Sequence, residues 1–135
     1  MRALVSAGWG GLGGATIPSN IFILGTVPHD WLFTKVAAVC HHGGAGTTAI
    51  GLQLGKPTIV VPFFGDQPFW GMMIHRAGAG PEPIPAKKLD AENLTAAIQF
   101  VMSDSAKAAA QTMGQHIRAQ VEQLSALVIR YSRPP

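Results

Sequence analysis

Apolar residues along this chain fall in short unbroken runs separated by turn-forming residues, the pattern of strands covered on both faces rather than of half-exposed strands that alternate. Residues 2–7 (RALVSA) are bounded by Gly8, and residues 21–27 (IFILGTV) stop at Pro28, which has no N–H to give to a ladder. Residues 36–40 and 58–61 (TIVV) complete four predicted strands. Between them, residues 28–33 (PHDWLF) predict a short helical turn with Pro at its first position. Residues 47–54 predict a helix closed by Gly55-Lys56-Pro57, and residues 67–77 a helix with Phe69, Met73 and Ala77 on one stripe. Asp90 is a predicted N-cap, followed by Leu94, Ala97, Ile98 and Val101 at amphipathic spacing. From Ser105 to Ile129 no Pro intervenes and Met113, Ile117, Val121, Leu124 and Val128 recur, so a long terminal helix is expected. Gly114 is its weak point, since an interior Gly costs about 1 kcal/mol relative to Ala.

Strands alternating with helices predict an α/β fold, with right-handed βαβ units forming a Rossmann-like parallel sheet that carries helices on both faces. Ligands of such sheets bind beyond the carboxyl ends of the strands. Two loops, after Cys40 and after Val61, lie at such ends and are expected to converge.

Composition narrows the class. With 135 residues, 47% hydrophobic and 13% charged, the chain reads as one soluble globular domain over residues 1–131, with 132–135 as a loose tail. The net charge of +3 comes from scattered Lys and Arg without a basic run, so no nucleic-acid partner is expected. Cys40 is the single cysteine, which rules out an intrachain disulfide, and it is expected to be buried in its strand. No signal-peptide layout and no membrane-length apolar run occur, so a cytoplasmic location is expected. A strand that opens just after Met1, with no helix before it to cover it, suggests that something is missing upstream.

The chemistry concentrates between Val39 and Trp70. His41-His42-Gly43-Gly44-Ala45-Gly46-Thr47-Thr48 runs from a strand end into a helix start. The first amides of a helix lack internal acceptors and sit at the positive end of its dipole, which suits an anion such as phosphate. Glycine lets the backbone approach closely, Thr47 and Thr48 offer hydroxyls, and the His42 imidazole offers an N–H to a departing phosphate. The competing reading is a plain strand-to-helix turn in which Thr47 or Thr48 is an N-cap; two adjacent His also admit a metal site, but no third ligand clusters with them. Asp66-Gln67 supplies a carboxylate and an amide suited to sugar hydroxyls, or else a cap and a first-turn residue. His29, His75 and His116 read as solvated or locally bonded, Trp31 and Trp70 as core or rim residues, and Met72 and Met73 as packing.

HHGGAGTT, followed by GLQLGKPTIVVPFFGDQPFW and preceded by PHDWLF, resembles the donor-binding half of family 1 glycosyltransferases of the two-domain GT-B fold, especially fungal sterol 3-beta-glucosyltransferases and antibiotic-glycosylating bacterial relatives. The resemblance covers about residues 2–103. It implies that His42 contacts the donor diphosphate, that Gly44, Gly46, Thr47 and Thr48 surround the phosphates, and that Asp66 and Gln67 hold the glucose hydroxyls. It places Ser6 near the nucleotide and Val27 beside the uracil. It implies no cofactor and no metal, only a UDP-sugar donor.

The chain departs from the plant branch at Thr26 and Ile50, where that branch has a stacking Trp and a ribose-binding Glu, and Ala7 stands where a Lys or Arg is usual. The family's N-terminal domain, which binds a sterol or other lipophilic acceptor and supplies the catalytic base, has no counterpart in these residues, so no catalytic residue is assigned. The implied reaction is inverting hexose transfer, and the resemblance admits peripheral membrane association of the full-length enzyme. The alternative is an inactive nucleotide-sugar-binding or interaction module; an epimerase of the same fold fits the FFGDQ segment poorly.

Overall fold

The computed structural model describes residues 1–8 and 16–132, with the side chains of the terminal helix described through Val128. The expected loop at residues 8–14 therefore lies mostly outside the described residues, as does most of the expected tail. Two parallel strand pairs carry the architecture. β1 (Ala3–Ser6) pairs with β2 (Ile21–Leu24), and β3 (Val39–His41) pairs with β4 (Thr58–Val60). The helices are α1 (His29–Leu32), α2 (Ala45–Gln53), α3 (Gln67–Arg76), α4 (Ala91–Val101) and α5 (Asp104–Ser132). No helix among the described residues is long and apolar enough to cross a membrane.

β4 shows why its run does not alternate. Ile59 and Val61 pack on one side with Ala97 and Val101 of α4, while Val60 packs on the other with Ile74, Ala79 and Ala110. Burial of each such aliphatic side chain contributes about 1.5–3 kcal/mol, which favours apolar residues at every position of a strand covered on both faces. The β1–β2 pair is less enclosed: Leu4 and Phe22 lie opposite each other and are both exposed. Helices on both faces thus hold for β4 but not for the described part of the first pair.

Several boundaries differ from the expectation. β2 ends at Leu24, so Gly25, Thr26 and Val27 form a loop rather than the end of a strand. β3 starts at Val39, where its N–H first meets the Pro57 carbonyl at 3.0 Å, because a 3-10 turn at Phe33–Lys35 prolongs α1. Cys40 is exposed rather than buried, since β3 turns Val39 inward and its neighbour outward. In α3 the buried positions are Gln67, Gly71 and Ile74, whereas Phe69 and Met73 of the expected stripe face outward. Gly71 is buried because Pro83 comes so close that a Cβ there would stand 2.5 Å from Pro83 Cγ.

The later helices follow the pattern more closely. Asp90 caps α4 in a reciprocal box with Asn93: the Asp90 carboxylate accepts the Asn93 N–H at 2.8 Å, and Asn93 Oδ1 accepts the Asp90 N–H at 3.0 Å. α5 is continuous through Gly114, which is buried against the end of α2. Beyond Ile117 its apolar residues Val121, Leu124 and Val128 are exposed.

Candidate functional site

α2 begins two residues earlier than its composition suggests, at Ala45 with Gly44 as N-cap. The hydroxyls of Thr47 and Thr48 therefore cap nothing. Its first helical hydrogen bond runs from the Thr48 N–H to the Gly44 carbonyl at 2.9 Å, which leaves the amides of Ala45, Gly46 and Thr47 at the open end. Approach to them is unobstructed: Ala45 and Gly46 are exposed, and a Cβ on Gly46 would meet nothing within 4 Å. The exposed His42 ring folds back over this end, its Nε2 2.5 Å from the place a Gly44 Cβ would take. A side chain at residue 44 would displace the imidazole.

Gly43 joins this turn to the second loop. Its φ of +91° lies in the region that favours glycine, and a Cβ there would stand 2.7 Å from Val60 Cγ1 and 3.0 Å from the Gln67 carbonyl oxygen. The two strand ends thus converge as expected, with backbone against backbone. Gln67, almost wholly buried, uses its Oε1 to accept the Phe63 N–H at 2.8 Å and the Phe64 N–H at 3.2 Å. Its oxygen is committed to the loop, and its NH2 is the end available to a ligand. Asp66 makes no capping bond; its Oδ2 accepts the Trp70 indole N–H at 2.8 Å, leaving Oδ1 on an exposed side chain.

Ser6 and Val27 lie elsewhere, at the carboxyl ends of β1 and β2. They line an open cleft of about 420 Å3 together with Gly8, Leu24, Thr26 and His29. His29, expected to be solvated or locally bonded, is exposed, and its ring stacks on Phe33, with centroids 5.2 Å apart, at the edge of that cleft. The Pro28 that starts α1 is the one signal that could have placed it there, because it fixes where the chain leaves the strand end.

Thr48 stands apart from the others. It is 3% exposed, and its Oγ1 is closed to solvent and without a hydrogen-bond partner, so it does not face the open end of α2. His41 is also held inward: its Nδ1 accepts the Gly43 N–H at 3.0 Å. Burial, followed by the nearby charges of His42 and His29, lowers its pKa to about 4. It is therefore neutral at pH 7. Among the described residues, no group of three or more His, Cys, Asp and Glu is arranged to hold a metal ion.

Residues 11–123 match the family model described as the erythromycin biosynthesis protein CIII-like C-terminal domain. Two sterol 3-beta-glucosyltransferases of Arabidopsis thaliana are similar to the chain. One is 48% identical over 118 residues, covering 87% of this chain and 18% of the relative. The other is 53% identical over 108 residues, covering 78% of this chain and again 18% of the relative. The chain therefore spans less than a fifth of the length of either. Among solved structures, a spinosyn rhamnosyltransferase, SpnG, complexed with thymidine diphosphate superposes with a TM-score of 0.68 at 28% identity, covering 78% of this chain and 29% of that one.

Proposed function

The chain belongs to the family of erythromycin biosynthesis protein CIII-like C-terminal domains, and from that premise we propose that it is the donor-binding portion of a UDP-sugar-dependent glycosyltransferase. The observation that carries the reading is the contact of Gly43 with Gln67, which sets an anion-binding helix end beside a carboxylate–amide pair. A nucleoside diphosphate sugar needs both. In this reading the amides of Ala45, Gly46 and Thr47, with the His42 imidazole, take the diphosphate. Asp66 Oδ1 accepts from sugar hydroxyls while the Gln67 NH2 donates to them. The cleft at Ser6, Val27 and His29 takes the nucleoside.

The proposed reaction transfers a hexose, glucose by the names of the similar relatives, to a sterol or other lipid-like hydroxyl with inversion. A base outside this chain deprotonates the acceptor hydroxyl, the resulting oxygen attacks the anomeric carbon, and the bond to the diphosphate breaks. The developing charge falls on oxygens facing the α2 end and His42, whose fixed dipoles stabilise it. No cofactor beyond the donor enters this reading.

Calorimetry with UDP and with UDP-glucose tests it. The wild-type chain is expected to bind both. Asp66→Ala is expected to remove the extra affinity contributed by the sugar while leaving that for UDP within a few-fold. Loss of UDP binding itself in Asp66→Ala, or equal binding of UDP-glucose by wild type and variant, would assign the sugar elsewhere.

A further inference from the structure

The strand end that presents His42 carries a second histidine with opposite surroundings. The Nδ1 of His41 accepts the Gly43 N–H at 3.0 Å, and a ring nitrogen that accepts an N–H carries no proton of its own. The proton of the neutral ring therefore sits on Nε2. That atom is closed to solvent and has no hydrogen-bond partner. An unpartnered buried donor destabilises the fold, so packing alone gives no reason for an imidazole at this place.

The reason lies in what Nδ1 holds. Gly43 is fixed at a φ of +91°, and Val60 Cγ1 and the Gln67 carbonyl oxygen stand 2.7 and 3.0 Å from where its Cβ would be. The next residue is Gly44, over which His42 folds. The bond from Gly43 to His41 thus spans His42 itself and fixes the backbone on both of its sides. Without an acceptor at residue 41, the Gly43 amide loses its partner and the glycine recovers the conformational freedom that folding had removed.

We propose that His41 is the positioning residue of the anion-binding turn: its Nδ1 holds Gly43 in the left-handed conformation and so sets His42 over the open end of α2. This rests on the diphosphate reading of that turn. His41 touches no ligand in this arrangement. The two adjacent histidines divide the work, one facing the ligand and the other fixing the backbone between them.

A purely structural residue predicts something different. Replacing the ring by an aliphatic side chain then changes the melting temperature but leaves ligand binding by the folded chain alone. Three variants of the 135-residue chain separate the two cases. His41→Asn places a carbonyl oxygen near the position of Nδ1, His41→Gln moves that oxygen outward, and His41→Leu removes it. UDP affinity by calorimetry and hydrogen exchange at the Gly43 amide are measured in each.

His41→Asn is expected to keep UDP affinity within about threefold and Gly43 protected, whereas Gln and Leu lose about tenfold with faster Gly43 exchange. The Leu variant also leaves the buried Gly43 N–H unpaired and is expected to melt lower; should it fail to fold, the contrast between Asn and Gln decides alone. Wild-type affinity in His41→Leu, or a loss in His41→Asn as large as in His41→Gln, overturns the proposal. If the wild type binds no UDP, the diphosphate reading fails and Gly43 exchange decides the rest. Equal exchange in wild type, His41→Gln and His41→Leu then overturns the role of His41, and faster exchange in both variants upholds its hold on Gly43.

Discussion

Gly114→Ala is expected to destabilise the protein, although the same change in a free-standing helix would stabilise it by about 1 kcal/mol. Gly114 lies where α5 crosses the end of α2. A Cβ there would stand 2.9 Å from the Gly55 amide nitrogen, 2.9 Å from the Leu52 carbonyl oxygen and 3.0 Å from Arg118 Nη1. The first two are backbone atoms and cannot turn aside. The Leu52 carbonyl also accepts the Gly55 N–H that closes α2, and the Arg118 guanidinium donates to the Gln53 carbonyl beside it. Separating the helices disturbs those bonds as well as the packing. Overpacking of this kind costs about 1–3 kcal/mol, toward the upper end where the opposing atoms are backbone, and subtracting the helical gain leaves a net loss of up to about 2 kcal/mol. For a domain of this size that lowers the melting temperature by roughly 5 °C. Circular dichroism during thermal and urea unfolding reads the change. A melting temperature equal to or above wild type would mean that the helices are not in this contact and would refute the reasoning.

Thr48→Val removes a buried hydroxyl that has no partner, so stability is expected to hold or rise by up to about 1 kcal/mol, with UDP affinity within about threefold by calorimetry. A tenfold loss would return Thr48 to the ligand site. The His41 pKa of about 4 lies below the ordinary value of 6.5, so the unfolded chain binds the extra proton between those values. This group's contribution to stability is therefore nearly complete above about pH 6.5 and is lost as pH falls toward 4, by about 3 kcal/mol. Urea unfolding at pH 7 and pH 4.5 measures it, and His41→Leu is expected to flatten that part of the profile. An unchanged slope in that variant would place its origin elsewhere.

The features legible in the sequence are those that apolar patterning and turn chemistry determine directly. TIVV had to be a strand covered on both faces, Asp90 had to cap a helix, and HHGGAGTT had to turn a strand into a helix. The misses share a different cause, which is that close backbone approach makes small residues part of the core. Gly71 and Gly114 are buried because other chain segments come within van der Waals contact of their Cα, so a reading that looks for large apolar residues finds the outward Phe69 and counts Gly114 as a defect. Thr48 was placed at the phosphates by the resemblance, and the apolar pattern alone does not reveal that its hydroxyl lies buried within the fold. The choice of His42 for the diphosphate came from the resemblance, whereas the bond by which His41 Nδ1 accepts the Gly43 N–H was beyond sequence, since adjacent identical residues differ only in which direction the strand end sends them.

Backbone amide NMR during titration with UDP tests the central claim most directly. The account predicts saturable shifts at the amides of Ala45, Gly46 and Thr47 and at the His42 ring, with His42→Ala weakening the binding by about tenfold. Saturable binding that leaves those three amides and His42 unmoved, or no binding by the folded chain, would contradict it.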